Sequence, residues 1–166
     1  LLDLNCRWAG RRPSGVVVVA TGRALKYHGG VPKAELNAEN LEALEAGLPN
    51  LLQHVGNIKD VFGLPCVVAI NAFPTDTKAE LDLVERKCRS LGVNVALSEV
   101  WAKGGEGGKT LAEEVVRLCD QPTDSRQSYE LDRGILDKLT ARVPQVHPHD
   151  GVHLVGNPVN HDKHAH

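Results

Sequence analysis

The sequence predicts an α/β fold built on a parallel sheet with crossover helices, and three observations predict it. Strand-like and helix-like segments alternate three times up to about residue 120. The two clearest strand candidates are continuous runs rich in β-branched residues, a composition typical of strands that are covered on both faces. The helical segments carry single apolar stripes, which is the pattern of helices that pack on a sheet.

Three segments are candidates for the strands. Residues 15–21 read GVVVVAT and residues 64–71 read LPCVVAIN, whereas residues 93–100, VNVALSEV, alternate more between apolar and polar side chains. A helical segment follows each of them. This order favours parallel pairing with right-handed crossovers, in layers similar to those of P-loop NTPases and Rossmann folds. Three strands make only a partial sheet of this kind.

The first predicted helix covers residues 37–58, where leucines recur at three- and four-residue steps. Gly47 and Pro49 lie in its middle. Because both residue types disfavour a helix interior, they are candidates for breaking it into two pieces.

The second predicted helix, residues 75–91, has acidic residues early and basic residues late, which suits the helix dipole, and Gly92 is suited to end it. Its predicted apolar face is Leu81, Val84 and Cys88. The third predicted helix covers residues 110–120. Its predicted buried stripe is Leu111, Val115 and Leu118. Beyond Pro122 the pattern decays.

Composition excludes several classes of function. Lys plus Arg number 19 against 21 Asp plus Glu, so the net charge of −2 supplies no field that would hold a nucleic acid. The apolar runs are much shorter than the roughly 20 residues of a membrane helix, and no signal peptide opens the chain. Four scattered cysteines without a CxxC pair predict reduced thiols and a cytoplasmic location. They are Cys6, Cys66, Cys88 and Cys119.

The 166 residues have room for one ordinary domain, or for a domain and part of another. The chain contains no methionine, so we expect it to be a piece of a longer protein. Ligands of parallel sheets bind beyond the carboxyl ends of the strands, so function is sought in the loops after residues 20, 70 and 100.

The first of these loops, residues 21–31, reads TGRALKYHGGV. Arg23, Lys26 and His28 precede a pair of glycines there, and two cations with flexible backbone could contact an anion. The alternative is a surface turn with solvated basic residues.

The second loop, residues 71–77, reads NAFPTDT. Phe73 leaves the end of the strand and Pro74 fixes the backbone behind it. A phenylalanine here is either a core plug or a platform for a ligand. Thr75 or Asp76 has the chemistry to cap the helix that follows.

The third loop, residues 98–110, reads SEVWAKGGEGGKT and begins with Trp101. Glycines between a strand and a helix allow backbone amides to approach a phosphate. The ending GKT resembles a Walker A loop, but that motif requires a glycine where Lys103 stands. A flexible turn without a ligand is the alternative. The phosphate-proximal candidates are Lys103, Gly104, Gly105, Gly107 and Gly108.

Phe73 and Trp101 follow consecutive strand candidates, and neighbouring parallel strands bring their end loops close together. Two exposed rings could sandwich one flat heterocycle, such as a pterin or a purine. Stacking contributes roughly 1 to 3 kcal/mol per base and requires only a flat π-face.

Six of the eight histidines lie in the last twenty residues, some at spacings that suit a metal. The segment contains prolines and no clear helix or strand, so we predict no dedicated metal site. These histidines are His147, His149, His153, His161, His164 and His166.

Four blocks follow one another along the chain: Asn5-Cys6-Arg7, VVVVATGRALKYHGGV, VVAINAFPTDTKAELDLV and ALSEVWAKGGEGG. Together they resemble the formate-tetrahydrofolate ligase family, also called formyltetrahydrofolate synthetase, particularly its bacterial form. The resemblance covers residues 1 to about 122. It is faint through SYELD and LDKL and leaves only Asp150-Gly151-Val152 beyond them.

The resemblance implies an ATP-dependent ligase that forms 10-formyltetrahydrofolate from formate and tetrahydrofolate through formyl phosphate. It implies ATP and Mg²⁺ as well as the folate, and a homo-oligomer without nucleic-acid or membrane partners. It also implies that Phe73 and Trp101 face a flat ring, with Asn71 and Pro74 beside them. That ring is the pterin, with adenine as the other candidate.

The departures from the family are informative. Its phosphate loop, of the type TP-x-GEGK, and its formyl-phosphate-binding arginine lie upstream of the matching region. We therefore expect an internal portion of the enzyme that is inactive alone. Residues 1–55 would end the nucleotide-binding domain, residues 56–146 would form a smaller α/β domain, and residues 147–166 would be a divergent tail. Two alternatives stay open: a noncatalytic folate- or nucleotide-binding module from a truncated paralogue, and a compact P-loop NTPase around residues 104–110.

Overall fold

The computed structural model describes residues 2–146, which belong to two compact units. One unit comprises residues 13–124 and contains the sheet. The other contains residues 2–12 and 125–146. The predicted tail, residues 147–166 with its six histidines, lies outside the described residues.

The sheet has three parallel strands in the order β1 (Val16–Ala20), β2 (Cys66–Asn71) and β3 (Asn94–Ser98). The predicted α/β fold with a parallel sheet and interleaved helices is confirmed. Each strand is shorter than its predicted segment. The central strand β2 is buried on both faces as far as Ile70, in keeping with its continuous apolar run.

Helices cover both faces of this sheet. Residues of α1 (Gly22–His28), α2 (Leu41–Gly56) and α3 (Lys78–Ser90) pack on one face in the main core. On the other face, α5 (Lys109–Cys119), which follows the short α4 (Val100–Lys103), packs against β2 and β3. The predicted stripe of α5 is confirmed. Its contacts are Leu118, Leu111 and Val115 against Val67 and Ala96.

Strand β1 is covered less completely than its sequence predicts. Its inward-facing Val16 and Val18 pack against the main core. Val17 and Val19, on the other face, are 38% and 65% exposed. The predicted burial of this strand on both faces is therefore wrong for the described chain. On that face of the sheet, α5 packs against β2 and β3.

The first predicted loop is a helix, so its loop assignment was wrong. Thr21 is the N-cap of α1 and its hydroxyl accepts a hydrogen bond from the Ala24 amide at 3.1 Å. The C-terminal Gly29 donates its amide to the carbonyl of Leu25 at 2.9 Å. The flanking cap and glycines, which suggested a turn, define the two ends of a short helix instead.

Helix α2 runs without a break through Gly47 and Pro49, so the expected division into two pieces does not occur. Gly47 is buried because α1 crosses α2 at this point. A Cβ atom on Gly47 would lie 1.9 Å from the Leu25 carbonyl oxygen, and one on Gly29 would lie 1.8 Å from that of Ala43. These glycines allow two helix backbones to touch, which explains why one of them stands inside a helix.

The N-cap of helix α3 lies one or two residues after the two predicted candidates. Its N-cap is Thr77, and neither Thr75 nor Asp76. Thr77 and Glu80 form a capping box, in which each side chain accepts a hydrogen bond from the other's backbone amide at 3.3 and 3.1 Å. The predicted end at Gly92 is confirmed, with a φ of +66° that favours glycine.

The predicted boundary near residue 55 concerns the domains of a longer enzyme and stays a prediction. Within the described chain, β1 and β2 lie on either side of it and pair in one sheet. The third predicted strand and the helices beside it belong to the same unit.

The second unit joins the beginning of the chain to its later part. The buried Asp3 carboxylate accepts hydrogen bonds from the amide and hydroxyl of Ser128, and Arg142 lies 3.5 Å from it. Arg7 stacks over the Tyr129 ring, 5.1 Å from its centroid. Helix α6 (Ile135–Val146), which the sequence did not predict, belongs to this unit. None of the helices among residues 2–146 is long and apolar enough to cross a membrane.

Candidate functional site

The loops that follow β2 and β3 start side by side. Asn71 and Ser98, the last residues of the two strands, are partners in the parallel register. The Ala72 amide continues this pairing by donating to the Ser98 carbonyl at 3.0 Å. The first residues of the two predicted ligand loops are thus fixed to each other, as expected for neighbouring parallel strands.

Phe73 begins a tight turn. The Asp76 amide donates to the Phe73 carbonyl at 2.9 Å, and the Phe73 amide donates to the Asp76 carboxylate, also at 2.9 Å. Pro74 occupies the second position of this turn, which its fixed φ favours, and is exposed. Phe73 is half-buried, so it is neither a fully enclosed core residue nor a free side chain.

Trp101 lies in α4, directly after the end of β3, and is 68% exposed. An indole with this exposure makes little contribution to the core. Among the described residues Phe73 and Trp101 make no ring contact with each other. The two rings thus belong to loops that start together, while their faces are not packed against one another.

The glycine-rich segment Gly104–Gly108 forms a 3₁₀ turn that folds back on the start of α4. The Glu99 amide donates to the Gly107 carbonyl at 3.0 Å, and a Cβ on Gly107 would lie 2.4 Å from the Glu99 carbonyl oxygen. Gly104 has a φ of +58°. Gly105 has neither constraint, and Gly108 approaches a side chain of α4. The turn is therefore specified mainly by two of its four glycines.

The cation of this segment already has a partner. The Lys103 ammonium lies 2.6 Å from the Glu99 carboxylate, and both side chains are more than a third exposed. Exposed pairs of this kind contribute little stability. Lys103 is thus near the turn and reachable from solvent, and its role toward a phosphate stays a prediction.

The three predicted anion contacts of α1 are not equivalent. Arg23 and His28 are exposed, whereas Lys26 is fully buried. Its ammonium lies 2.9 Å from the Glu80 carboxylate and donates to the Ala38 carbonyl at 2.9 Å. Lys26 thus serves as an internal cation because the segment is a helix with this residue on its inner side, so the alternative of solvated basic residues does not hold for Lys26.

Glu80 is the partner that sequence reasoning missed. Besides Lys26, its carboxylate accepts the amides of Asn40 and Thr77, each at 3.1 Å. Burial acts to raise the pKa of Glu80, but the hydrogen bonds from Lys26 and the two amides outweigh it, so the pKa lies below its usual value. The spacing Thr77-x-x-Glu80 is a capping-box signature that the sequence did offer. The pairing with Lys26 had no local signal.

Two further features bear on cofactors. Among residues 2–146, no group of three or more His, Cys, Asp or Glu side chains is placed to hold a metal ion. The four cysteines are free. Burial raises the pKa of the Cys66 thiol, and burial together with Cys66 raises that of Cys88 to about 11, so both are protonated near neutral pH.

An open groove of about 620 Å³ lies between α2 and α3. None of the predicted ligand residues lines it. Its floor is apolar and its rim carries opposite charges, among them Glu45 and Arg86. We do not place the ligand there, because the groove is not formed by the loops at the carboxyl ends of the strands.

The fold assigns the chain to the α/β proteins with parallel sheets, in which small molecules bind beyond the carboxyl ends of the strands. A family model described as formate-tetrahydrofolate ligase matches residues 1–161. Since the match covers nearly the whole chain, the protein belongs to this family of ATP-dependent ligases of one-carbon folate metabolism, and the resemblance found in its sequence blocks is confirmed at that level. The expected extent of the resemblance, to about residue 122, was too short.

Proposed function

We propose that this chain supplies the ring-binding site of an enzyme that forms 10-formyltetrahydrofolate from formate, ATP and tetrahydrofolate. Phe73 and Trp101 hold the pterin ring between them, and Asn71 and Pro74 border it. The observation that carries the proposal is the paired start of the two loops at Asn71 and Ser98, followed by an indole that is 68% exposed.

The proposed reaction has two steps. A formate oxygen attacks the γ-phosphorus of ATP and the bond to the β-phosphate breaks, giving formyl phosphate and ADP. The N10 nitrogen of tetrahydrofolate then attacks the formyl carbon, loses its proton and releases phosphate. Mg²⁺ supplies charge neutralisation of the phosphates when ATP is bound. The task of Phe73 and Trp101 is to orient the folate, which lowers the entropic cost of the second step.

The exposure of Trp101 supports a role in binding. Covering a large exposed apolar side chain with a flat ligand is favourable, because apolar surface is removed from water. Because the ring makes no contact with Phe73 in the described chain, a planar guest does not have to displace an existing ring pair. The glycine turn that follows Trp101 folds back on Glu99 at the start of α4, which supports the helix that carries the indole.

Titration of tryptophan fluorescence tests this proposal. Folic acid serves as the stable pterin probe and ADP as the adenine probe, in a Trp8→Phe background that leaves Trp101 as the only tryptophan. We expect folic acid to quench the signal saturably. Trp101→Ala, followed by equilibrium dialysis, should weaken folic acid binding by roughly 1 to 3 kcal/mol, the range for stacking on one aromatic ring.

Trp8→Ala is the matched control, since Trp8 is 85% exposed and lies outside the proposed site. It should leave the affinity unchanged. Saturable binding of ADP without binding of folic acid would assign the ring site to adenine. Unchanged folic acid affinity in Trp101→Ala together with reduced thermal stability would contradict the proposal and make the indole structural.

We further infer that the glycine turn and the phosphate-proximal residues of this chain do not suffice for phosphoryl transfer. The Lys103 ammonium is already paired with the Glu99 carboxylate at 2.6 Å. In this proposal, ATP handling depends on residues other than those of the glycine turn. The predicted cytoplasmic location and homo-oligomer accompany this proposal.

A further inference from the structure

Asp76 closes the turn at Phe73 through two hydrogen bonds. Its backbone amide donates to the Phe73 carbonyl, and its side-chain Oδ2 accepts the Phe73 amide, both at 2.9 Å. The amide of the preceding residue, Ala72, is bonded to the end of β3 at 3.0 Å. Both peptide groups that lead into the phenyl ring are therefore fixed, one by the sheet and one by Asp76.

The second oxygen of this carboxylate has an unusual environment. Oδ1 of Asp76 is buried and, among the described residues, has no hydrogen-bond partner. It lies against Gly22, the first residue of α1, where an added Cβ would come within 2.9 Å of it. A side chain at residue 22 would therefore crowd the carboxylate in its present position.

An unpartnered buried carboxylate oxygen costs stability, which sets this turn apart from an ordinary turn closed by a side chain. Retained groups of this kind are typical of functional sites. The one described polar contact of the side chain is with the Phe73 amide, and Phe73 is a proposed ligand residue. The arrangement ties the Phe73 turn to the N-terminal end of α1.

We propose that Asp76 is a positioning residue that holds the Phe73 ring in place for stacking on the pterin, with its carboxylate lying against Gly22. This inference rests on the proposed function of Phe73. Asp76 acts through a hydrogen bond to the backbone and not through its charge. An asparagine, whose amide oxygen accepts the same bond, is therefore able to replace it, whereas an alanine is not.

The first measurement is folic acid affinity by fluorescence titration in the Trp8→Phe background. Asp76→Ala should weaken binding about tenfold, within the range that one stacking ring contributes, and Asp76→Asn by less than about twofold. Gly22→Ala should weaken it about fivefold, because its methyl group displaces the carboxylate, although alanine is the better helix former. Asp82→Asn, an exposed carboxylate of α3, is the control and should have no effect.

The second measurement reports, without a ligand, on the hydrogen bond between the Phe73 amide and the Asp76 carboxylate. Amide hydrogen exchange at Phe73, followed by NMR, should be faster in Asp76→Ala than in Asp76→Asn, with Ala72 protected in both. Urea unfolding of each variant separates a local change from a loss of global stability. A merely structural role would lower stability without separating alanine from asparagine in ligand affinity.

Equal folic acid affinity in Asp76→Ala and Asp82→Asn would overturn the inference. So would a tenfold loss in Asp76→Asn, which would make the charge itself the ligand contact. If the parent chain does not bind folic acid, the proposed function fails. The positioning of Phe73 is then decided by amide exchange alone, where equal rates in the alanine and asparagine variants overturn it.

Discussion

The most constrained side chain in this protein is Glu80. It is 1% exposed, yet its carboxylate is met by the Lys26 ammonium and by the amides of Asn40 and Thr77. A buried charge is tolerated only when it is paired and hydrogen-bonded, and these contacts meet both conditions. Glu80 therefore links α1, the N-terminus of α2 and the N-terminus of α3, which follows the Phe73 turn.

Glu80→Gln should lower the free energy of unfolding by about 3 to 5 kcal/mol, because Lys26 is left as a buried charge without its counter-ion. Urea unfolding at neutral pH measures the change. Glu85→Gln is the matched control in the same helix, since Glu85 pairs with Arg89 at 2.8 Å but both are about half exposed. It should cost less than about 0.5 kcal/mol.

The dependence on pH gives an independent readout of the same prediction. Because the pKa of Glu80 is lowered on folding, its contribution is fully present above its unfolded value of about 4.3 and is lost as pH falls through the folded value. The difference in stability between the parent chain and Glu80→Gln should therefore shrink below about pH 4. A difference that stays constant down to strongly acidic pH would contradict this account.

At the scale of elements, the contact between α1 and α2 depends on glycines. Gly47→Ala should lower the free energy of unfolding by about 2 kcal/mol or more, because overpacking outweighs the gain of about 1 kcal/mol in helix propensity. The cause is the 1.9 Å separation between the added Cβ and the Leu25 carbonyl oxygen. Thermal unfolding followed by circular dichroism measures it.

Gly56→Ala offers the control within the same helix. Its added Cβ would meet the Asp60 carboxylate at 3.6 Å, an ordinary contact, so the variant should be as stable as the parent or more so. Equal losses of unfolding free energy in the two variants would contradict this account, because only Gly47 lies where α1 crosses α2.

The sequence was most informative where the signal is local. The β-branched runs identified β1 and β2, the alternating pattern identified β3, and the apolar stripes identified α2, α3 and α5, because period and composition report burial directly. It failed for α1, where the partners of Lys26 and Gly29 lie on distant segments. Gly47 was misread for the same reason, since a helix crossing has no local signature. Helix α6 was also missed; it contains Pro144 and carries no buried residue.

The candidate site divides in the same way. The aromatic residues after β2 and β3 could be found from the sequence, because parallel strands place their end loops together. Two features could not be found from the sequence, since they depend on how the turn and α1 pack. They are the hydrogen bond from the Phe73 amide to Asp76 and the position of the Asp76 carboxylate against Gly22. The sequence thus located the candidate loops, whereas the structure was needed to identify the contacts that hold these loops in place.

At the scale of the whole molecule, the proposed function assigns ring binding, and not phosphate chemistry, to this chain. Two aromatic residues occupy loops that start together. The glycine turn, which is the candidate for phosphate contacts, has its own backbone partner at Glu99. Binding of folate and activation of formate by ATP should therefore be separable properties of this chain.

We expect the purified 166-residue chain to bind folic acid but to form neither ADP nor 10-formyltetrahydrofolate from formate, ATP and tetrahydrofolate. A coupled assay for ADP and the absorbance of the acid-converted methenyl product measure the two outcomes, with a full-length family member run in parallel as the positive control. Formate-dependent release of ADP would contradict the prediction. If Lys109→Ala also abolished that release, the glycine turn would be a phosphate loop after all, because its lysine would then be contacting the transferred phosphate.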